Sequence, residues 1–325
     1  MRALVTRLMA DGRREKVLVE DWPDPPPPGP GQVKTRTLYT GITNGTERND
    51  LVGGNYAQPD SNLPALWGYQ NVGRVVEAGA GVTTLHVGDL LYMSRDHCEH
   101  CVTDEGGLQI KLPDSIDPTQ AALFGVASVA MRTCRNADIR MGEQILVVGA
   151  GVIGQVAAQI ANVMGGRVTL VDTDERRLQI ARDIGAVEHA FNTSEDGWDR
   201  LISGSYTQAW TAEGRFDVAI DLAGAPGMED KLINAVKHRG RVSFIAGREK
   251  VQYSFNAGQC REVTIKQNGH FDNDDLANLC RLVERGQVTL APLLQDVVPV
   301  QQAKGIYDTL RDTPNQLLGT VFDWK

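Results

Sequence analysis

The stretch ILVVGAGVIGQVAAQIA constrains the fold of this 325-residue chain more than any other feature. An apolar run leads directly into Gly149-x-Gly151-x-x-Gly154, and a stretch with helical spacing follows. In a strand–turn–helix unit, the first glycine permits a tight turn, the second lets a pyrophosphate approach the backbone, and the third lets helix and strand pack closely. The first helical residues, Val152 and Ile153, offer free N–H groups to phosphate. The pattern predicts a Rossmann dinucleotide site.

An acidic residue at the end of the next predicted strand indicates which dinucleotide binds. The run VTLVD ends in Asp172, 18 residues after Gly154. A carboxylate at this spacing accepts hydrogen bonds from the ribose hydroxyls and repels the 2′-phosphate of NADP. We therefore expect the cofactor to be NAD.

Two further apolar runs, FDVAIDLAG and GRVSFIAG, continue the alternation of strands and helices after the glycine motif. Near-continuous apolar strands of this kind are typical of parallel sheets covered on both faces, so we predict a doubly wound α/β sheet. Ligands of such sheets lie beyond the carboxyl ends of the strands. We therefore expect Ala223–Gly224 and Ala246–Gly247 to border the nicotinamide, although turn formation alone would explain these residues equally well.

In the first part of the chain, the pattern of apolar residues differs from the strand–helix alternation found around the glycine motif. Short β-like segments such as QVKTRTLYTGI and NVGRVVEAGAGV alternate with turn signals, which predicts an all-β, barrel-like module. Helical spacing begins in DPTQAALFGVASVAMRTCRNA, where Asp117 is expected to cap a helix. We predict a catalytic domain of residues 1–120, completed by residues 290–325, and a NAD-binding domain of residues 121–289.

Charge and composition argue against several classes of function. The chain has 33 basic and 41 acidic residues, a net charge of −8, and no basic run, so we expect neither nucleic acid nor an anionic membrane as a partner. No apolar run approaches the roughly 20 residues of a membrane span, and the N-terminus lacks the apolar core of a signal peptide. The five scattered cysteines favour a reducing, cytoplasmic location.

Several segments, taken in their order along the chain, resemble the medium-chain dehydrogenase/reductase family of the alcohol dehydrogenase type. They are GITNGTE, GYQNVGRVVEAGAGV, GDLLY, the glycine motif and the C-terminal GTVFDW. None of them is specific alone, but the set extends over essentially the whole chain. The resemblance implies an α/β fold class with a GroES-like β-barrel catalytic domain and a Rossmann doubly wound parallel sheet.

Zinc-binding members of that family hold a catalytic metal through three positions. By resemblance, Thr43 (with Asn44 beside it) stands at the cysteine position, Tyr69 at the histidine position and Gly125 at the third, while Gln70 replaces the acid that follows the histidine. A tight zinc site needs thiolate, imidazole or carboxylate ligands, which these residues do not supply. We therefore expect no catalytic zinc.

The structural zinc of the family is held by four neighbouring cysteines, and this chain offers only the segment HCEHC. It contains Cys98 and Cys101 together with His97 and His100, but no second ligand pair follows at a suitable spacing. The resemblance places this segment in a strand, where the two cysteines would point to opposite faces. We expect no metal at this segment either.

Without a metal, a hydrogen-bond donor must stabilise the carbonyl oxygen during hydride transfer. Tyr69 is either this donor or an aromatic ring that fills the vacant metal position. By resemblance, Thr46 is a candidate relay for the substrate proton, and Thr43 is a candidate contact for the substrate oxygen. His97 is a second acid/base candidate or a structural histidine, and Glu47 matches a position that usually supports the structure.

These features predict a zinc-independent oxidoreductase that transfers hydride between NAD and a secondary alcohol or ketone. Among metal-free relatives, the chain resembles the branch of bacteriochlorophyllide-type alcohol dehydrogenases. A polar cleft rim favours a polyol or sugar-like substrate, and the predicted rim residues are Asn44, Asn49, Asp50, Asn55 and Gln70. The alternatives are a quinone or enone reductase of the same fold, a lyase or epimerase that holds NAD tightly, and a non-catalytic NAD-binding protein.

The expected partners are a small-molecule alcohol or ketone and a second copy of the chain. The predicted strand QYSFN at residues 252–256 is a candidate for edge-to-edge pairing in a homodimer. His270, which follows the last predicted strand of the sheet, is a candidate for the cleft or for an interface.

Overall fold

The computed structural model describes residues 1–194, 197–201 and 214–325. Contacts divide the chain into two compact units. Unit 1 comprises Met1–Val126, Asp272–Glu284 and Leu293–Lys325, and unit 2 comprises Ala127–Phe271 and Arg285–Pro292. No helix within the described ranges has both the length and the apolar composition that crossing a membrane requires.

The described strands, in chain order, are β1 (Ala3–Leu8), β2 (Arg14–Val19), β3 (Gln32–Gly41), β4 (Ala65–Leu66), β5 (Asn71–Ala78), β6 (Leu90–Met93), β7 (His100–Asp104), β8 (Gln109–Lys111), β9 (Gln144–Val148), β10 (Arg167–Asp172), β11 (His189–Asn192), β12 (Phe216–Asp221), β13 (Val236–Phe244), β14 (Thr264–Gln267), β15 (Leu294–Pro299) and β16 (Gly319–Asp323). The described α-helices are α1 (Asn44–Leu51), α2 (Pro118–Ala121), α3 (Phe124–Asn136), α4 (Val152–Val163), α5 (Glu175–Ile184), α6 (Gly197–Leu201), α7 (Met228–Ala235), α8 (Phe255–Arg261), α9 (Asn273–Glu284) and α10 (Ala303–Asp312).

Unit 1 is built on β-sheets, as its sequence predicts. One sheet has the order β15-β16-β3-β5-β6-β8, with β7 also paired to β3, and a second has the order β2-β1-β4. The long strand β3 shifts register between Lys34 and Thr35 and again between Thr37 and Tyr39. Irregularities of this kind bend a strand, which lets β3 pair with β5, β7 and β16 along its length. The expected β-rich module is therefore confirmed.

Unit 2 contains a parallel sheet in the order β11-β10-β9-β12-β13-β14 among the described residues. The strand order reverses at β9, where β10 lies on one side and β12 on the other. This is the arrangement of a doubly wound sheet, in which ligands bind at the reversal point. The central strands β9, β10 and β12 are almost entirely buried, which explains why their sequences are apolar without interruption.

Of three local expectations, the structure confirms one and differs from the other two. Asp117 caps α2 as predicted, since its side chain accepts a hydrogen bond from Thr119 N. The expected strand at residues 252–256 is wrong, because Ser254 instead precedes α8 and its N–H and hydroxyl bond to the Asp230 carboxylate. Helix α9, which we expected in the NAD-binding domain, groups with unit 1, where Asn273 bonds to the backbone of Gln109.

Candidate functional site

The glycine turn of unit 2 follows β9. Gly149 adopts φ +100°, a conformation that favours glycine, and its N–H bonds to Val171 O at 2.8 Å. A Cβ at Gly154 would overlap the Gly149 carbonyl oxygen, so the third glycine is needed for close packing of α4 on the turn. A Cβ at Gly151 would meet no atom within 4 Å, so open space lies directly beside the second glycine.

Helix α4 begins at Val152, so the N–H groups of Val152, Ile153 and Gly154 lie in its first turn and lack partners within the helix. An open space next to these donors fits the pyrophosphate of a dinucleotide.

Asp172 lies at the end of β10 and is attached to the glycine turn. Its Oδ2 accepts a hydrogen bond from Ala150 N at 2.6 Å, and its Oδ1 accepts one from Asp174 N at 2.9 Å. The carboxylate is thus fixed in orientation next to the glycine turn, with further acceptor capacity on both oxygens. This position fits an acid that binds the ribose hydroxyls of the nucleotide.

The two loops expected beside the nicotinamide contact each other. A Cβ at Gly224 would lie 2.9 Å from Ala246 Cβ, which leaves little room for a side chain there. The N–H groups of Ala223 and Gly224 both donate to Asp221 Oδ1 at 3.0 Å. These two amides therefore hold the loop in shape, while Gly247 is exposed.

Arg248 is a residue of this region that the sequence analysis missed. Its guanidinium bonds to the buried Asp221 carboxylate, to Glu229 Oε1 at 2.7 Å and to Ala246 O at 3.2 Å. It thereby ties together the ends of β12 and β13 and the first turn of α7. No sequence pattern indicated this role, since an arginine after a strand is usually exposed to solvent.

In unit 1, the three residues expected at the metal-ligand positions lie close together, since Thr43 and Gly125 are both next to Tyr69. The Tyr69 phenol hydrogen-bonds with the hydroxyls of Thr43 and Thr46. A Cβ at Gly125 would lie 3.0 Å from Tyr69 Cδ2 and would overlap the Tyr92 hydroxyl. The Tyr69 ring therefore occupies space that a side chain at residue 125 would need.

The surroundings of Tyr69 keep its phenol protonated. Burial raises the pKa of Tyr69 to about 12, although the hydrogen bonds with Thr43 and Thr46 act in the opposite direction. The residue nevertheless keeps some exposed surface, as does Thr46. A neutral phenol is a hydrogen-bond donor at neutral pH rather than a base.

The donor groups of this cluster do not fit a tight zinc site. Gln70, in place of the family's acid, is fully buried and bonds to Ile42 O, to Thr43 Oγ1 and, through its carbonyl oxygen, to Val126 N. The side chains of Thr43 and Tyr69 offer hydroxyls rather than thiolate, imidazole or carboxylate. No group of three or more His, Cys, Asp or Glu residues in the described part of the chain is placed to hold a metal ion.

Glu47 is the centre of a buried polar network below this cluster. Its Oε2 accepts hydrogen bonds from Lys16 Nζ at 2.9 Å and Tyr307 Oη at 2.6 Å, and its Oε1 accepts one from Thr43 N at 2.7 Å. Burial alone would raise the pKa of Glu47, but the charges of Lys16 and His97 and the hydrogen bonds lower it instead. Glu47 is therefore an ionised carboxylate that fixes the start of α1, as its expected supporting role requires.

His97 lies in this network and is fully buried. Its Nε2 is 3.2 Å from Glu47 Oε1, and a Cβ at Gly68 would overlap its ring. The Nδ1 atom has no hydrogen-bond partner among the described residues. His97 thus contacts Glu47 from the interior, and nothing in this geometry gives it direct access to a substrate.

The predicted polar rim is wrong for two of its five members. Asp50 and Gln70 are buried, and Asp50 is paired with Arg14 at 3.1 Å. Asn44 donates to the carbonyls of Leu317 and Leu318. These side chains already have partners inside unit 1, so they do not favour a polyol. Among the other members, Asn49 bonds to Asn55 at 3.1 Å.

The cysteine segment differs from its expected geometry, and the surroundings of His270 can also be described. The chain bends at Glu99 and β7 begins at His100, so the strand alternation assumed for the two cysteines does not apply. Cys98 and Cys101 do not point to opposite faces, because their Sγ atoms are 3.5 Å apart. His270 follows β14 in unit 2 and stacks on Phe271, with 4.5 Å between the ring centroids.

Two family models match the chain. One, described as the alcohol dehydrogenase GroES-like domain, matches residues 29–134, and the other, described as zinc-binding dehydrogenase, matches residues 152–285. An L-threonine 3-dehydrogenase from Saccharopolyspora erythraea is 29% identical over 297 residues, covering 82% of this chain and 83% of that protein. The L-threonine 3-dehydrogenase of Yersinia pestis is 29% identical over 289 residues, with 79% and 82% covered.

Solved structures show the same fold at lower identity. The 2R,3R-butanediol dehydrogenase from Bacillus subtilis is 20% identical and superposes with a TM-score of 0.81, covering 100% of this chain and 99% of that one. A short chain alcohol dehydrogenase from E. coli, complexed with the cofactor NADH, is 15% identical with a TM-score of 0.82 and the same coverage. The expected combination of a GroES-like domain and a Rossmann-like parallel sheet is confirmed. The chain belongs to the alcohol dehydrogenase-like medium-chain dehydrogenase/reductase family of pyridine nucleotide-dependent oxidoreductases.

Proposed function

We propose that the protein is a zinc-independent, NAD-dependent dehydrogenase that interconverts a secondary alcohol and a ketone. The observation that carries this proposal is the Tyr69 phenol, which hydrogen-bonds with Thr43 and Thr46 and packs against Gly125. This protonated phenol belongs to the residue that, by resemblance, corresponds to a metal ligand of zinc-binding relatives. It supplies the electrophilic assistance to a carbonyl oxygen that the metal supplies in those relatives.

NAD, when bound, supplies the hydride chemistry. In ketone reduction, Tyr69 donates a hydrogen bond to the carbonyl oxygen and then its proton to the forming alkoxide. Thr46, which is partly exposed and bonded to the phenol, returns the proton from solvent to Tyr69. Thr43 and the buried Glu47 hold this pair in position through the start of α1.

The preference for NAD over NADP rests on Asp172. Its carboxylate is fixed against the glycine turn and accepts the ribose hydroxyls, but it repels a 2′-phosphate. Hydrogen bonds to a charged group contribute about 1.5–3 kcal/mol. We therefore expect Asp172→Ala to lower kcat/KM for NAD by roughly 10- to 100-fold and to reduce the preference over NADP. An unchanged ratio of the two values of kcat/KM would assign the preference to another residue.

The proposal as a whole is tested by metal analysis and a substrate panel. The purified protein is analysed for zinc, and turnover is followed by the absorbance of NADH or NADPH with secondary alcohols, polyols, L-threonine, 2R,3R-butanediol and the matching ketones. We expect turnover with NAD after treatment with a chelator, without stoichiometric zinc. Loss of turnover on chelation together with its recovery on adding zinc would overturn zinc independence.

The same panel distinguishes the alternatives. Reduction of quinones or enones without turnover of alcohols would favour the reductase. NAD that co-purifies and does not exchange would favour a lyase or epimerase. Tight NAD binding with no turnover on the whole panel would favour a non-catalytic NAD-binding protein.

We also propose a homodimer. Among the described residues, β14 is one of the two edge strands of the unit 2 sheet, and a strand with an unpaired edge can pair with a second copy. Sedimentation velocity of the purified protein measures the assembly, and a monomer at micromolar concentration would contradict it.

A further inference from the structure

A pair of thiols in unit 1 has no part in the chemistry proposed above. Cys98 and Cys101 are 4% and 6% exposed, and their Sγ atoms are 3.5 Å apart. Cys98 Sγ also lies 3.3 Å from His100 O, and Asn71 Nδ2 lies 3.5 Å from Cys101 Sγ. Cys98 Sγ is also 3.9 Å from Asp96 O, and both cysteines pack in an apolar cluster that includes Ala3, Val5 and Val17. The two sulfurs therefore face each other inside a small apolar cluster.

We propose that Cys98 and Cys101 form a reversible disulfide when the protein is exposed to a small peroxide. To reach the S–S bond length of about 2.05 Å, the sulfurs must approach by about 1.5 Å. Cys101 is held in β7 by pairing with Thr35 on β3. Cys98 precedes the strand and is held by an isolated bridge to Ala3 and by the hydrogen bond from Thr37 Oγ1 to its carbonyl oxygen. It lies outside the regular ladder that fixes Cys101, and we expect the adjustment on the Cys98 side.

The oxidation proceeds in two steps. The thiolate of one cysteine attacks an oxygen of hydrogen peroxide, which breaks the O–O bond and gives a sulfenic acid and water. The thiol of the other cysteine then attacks the sulfenic sulfur, and the S–S bond forms as a second water leaves. Two thiols thus lose two electrons and two protons, and the peroxide is reduced to two waters. A dithiol reductant reverses the reaction by exchange.

The burial of the two cysteines determines which oxidants can reach them and how fast they are oxidised. An apolar enclosure admits hydrogen peroxide more readily than a bulky peptide disulfide. The hydrogen bond with Cys101 and burial raise the pKa of Cys98, so its thiolate is scarce at neutral pH and the first step is slow. Once a sulfenic acid has formed, the neighbouring sulfur at 3.5 Å converts it before a second peroxide arrives. The pair is therefore protected against irreversible oxidation.

The thiols are connected to the candidate active site through the segment before β7. Asn71 Nδ2 donates to Asp96 O at 2.9 Å, and Thr37 Oγ1 donates to Cys98 O at 2.6 Å. His97, between these two carbonyls, contacts the Glu47 network. Closing the disulfide displaces this segment, so we expect lower turnover in the oxidised protein. This part of the inference rests on the proposed function.

The test uses the full-length reduced protein and hydrogen peroxide. After exposure, remaining thiols are alkylated, and intact mass and peptide mapping are recorded. We expect the number of free thiols to fall from five to three and one peptide to contain linked Cys98 and Cys101. The unalkylated protein loses about 2 Da, the reaction is faster at pH 9 than at pH 7, and dithiothreitol restores all thiols.

Two variants provide controls. Cys101→Ser removes the sulfur that would complete the disulfide. A sulfenic acid formed at Cys98 should then react with dimedone, and the paired loss of two free thiols should no longer be seen. Cys134→Ser removes another buried thiol, whose pKa is raised by burial to about 12, and should leave the formation of the disulfide unchanged. Peptide mapping of the peroxide-treated protein without substitutions shows whether the disulfide forms, even if a variant fails to fold.

An unchanged thiol count, or a disulfide that links other cysteines, would overturn the proposal. A linked pair with unchanged turnover would overturn the connection to the active site and leave the disulfide in place. Absence of dehydrogenase activity before oxidation would contradict the proposed function alone, because the disulfide is measured by mass.

Discussion

The Tyr69 phenol hydrogen-bonds with two threonine hydroxyls, and its ring lies where a side chain at residue 125 would otherwise be. If its phenol stabilises the carbonyl oxygen, Tyr69→Phe removes one donor from the transition state. Loss of one such donor lowers kcat by about 100- to 1000-fold. We expect a decrease of this size, with the NAD dissociation constant unchanged.

The matched control is Tyr39→Phe, which removes a phenol that bonds to Lys325. It should leave kcat unchanged. If Tyr69→Phe also leaves kcat unchanged, the ring is packing alone.

The pKa of Tyr69 also predicts how stability depends on pH. The folded state holds the pKa at about 12, above the ordinary value of 10.0, so the unfolded chain loses this proton first as pH rises. The stability that the neutral phenol contributes is complete below about pH 10 and is lost between about pH 10 and pH 12. Urea unfolding across this range should therefore show a smaller decline for Tyr69→Phe than for the unmodified protein. Parallel declines would contradict the assignment.

Glu47 and Lys16 form a buried ion pair, and each is about 1–2% exposed. Removing one partner of such a pair leaves an uncompensated buried charge and costs about 3–5 kcal/mol. We expect Glu47→Gln to lower the free energy of unfolding by this amount in urea denaturation. The double variant with Lys16→Met should be more stable than the sum of the single changes indicates.

The control for this pair is Glu188→Gln, which breaks the exposed ion pair with Arg167. Exposed pairs contribute about 0–1 kcal/mol. Equal effects of Glu188→Gln and Glu47→Gln would show that burial does not determine the strength of the Glu47 network.

At the scale of elements, two glycines in the turn between β9 and α4 have different roles. We expect Gly154 to matter for folding and Gly151 for the binding of NAD. Gly154→Ala places a methyl group against the Gly149 carbonyl oxygen, which forces α4 away from β9 and costs about 1–3 kcal/mol. Gly151→Ala places a methyl group in open space, so the fold is kept, but the pyrophosphate can no longer approach. We expect a lower Tm for Gly154→Ala, and a normal Tm with at least about tenfold weaker NAD binding for Gly151→Ala.

Thermal unfolding and NADH fluorescence measure these two effects separately. A Gly151→Ala variant that binds NAD normally would show that the pyrophosphate lies elsewhere.

The elements that the sequence predicted well are those whose signals are local. The glycine turn is specified within six residues, and Asp172 follows at a spacing that the length of one helix and one strand determines. Contacts between distant segments carry no such signal. Lys16 and Tyr307 meet Glu47 across 31 and 260 residues of chain, and Arg248 meets Asp221 across 27. The cysteine pair was misjudged because alternation holds only inside a strand, and β7 begins after Cys98.

At the scale of the whole molecule, unit 1 is assembled from the two ends of the chain. Trp324 is 1% exposed, its Nε1 donates to Thr40 Oγ1 at 2.9 Å, and its carbonyl oxygen accepts a hydrogen bond from Arg2 at 2.6 Å. Truncating a buried tryptophan costs about 3–5 kcal/mol. We expect Trp324→Ala to weaken unit 1, while the residues of the glycine turn in unit 2 are unaffected.

Hydrogen exchange followed by peptide mass analysis tests this expectation. Peptides from β3 and β16 should exchange faster in Trp324→Ala, whereas peptides from β9 and α4 should not. Equal acceleration in both units would mean that the chain unfolds as one cooperative block.

The fit between Tyr69 and Gly125 also determines the order in which a metal-binding variant of this enzyme can be engineered. Any side chain introduced at residue 125 first would collide with the Tyr92 hydroxyl and the Tyr69 ring. Tyr69→His and the loss of the Tyr92 hydroxyl, for example by Tyr92→Phe, must therefore both precede a cysteine at residue 125, and Thr43→Cys can follow at any stage. A ligand side chain at residue 125 is therefore unfavourable as a first step, and it becomes possible only after the two tyrosine side chains around it have been changed.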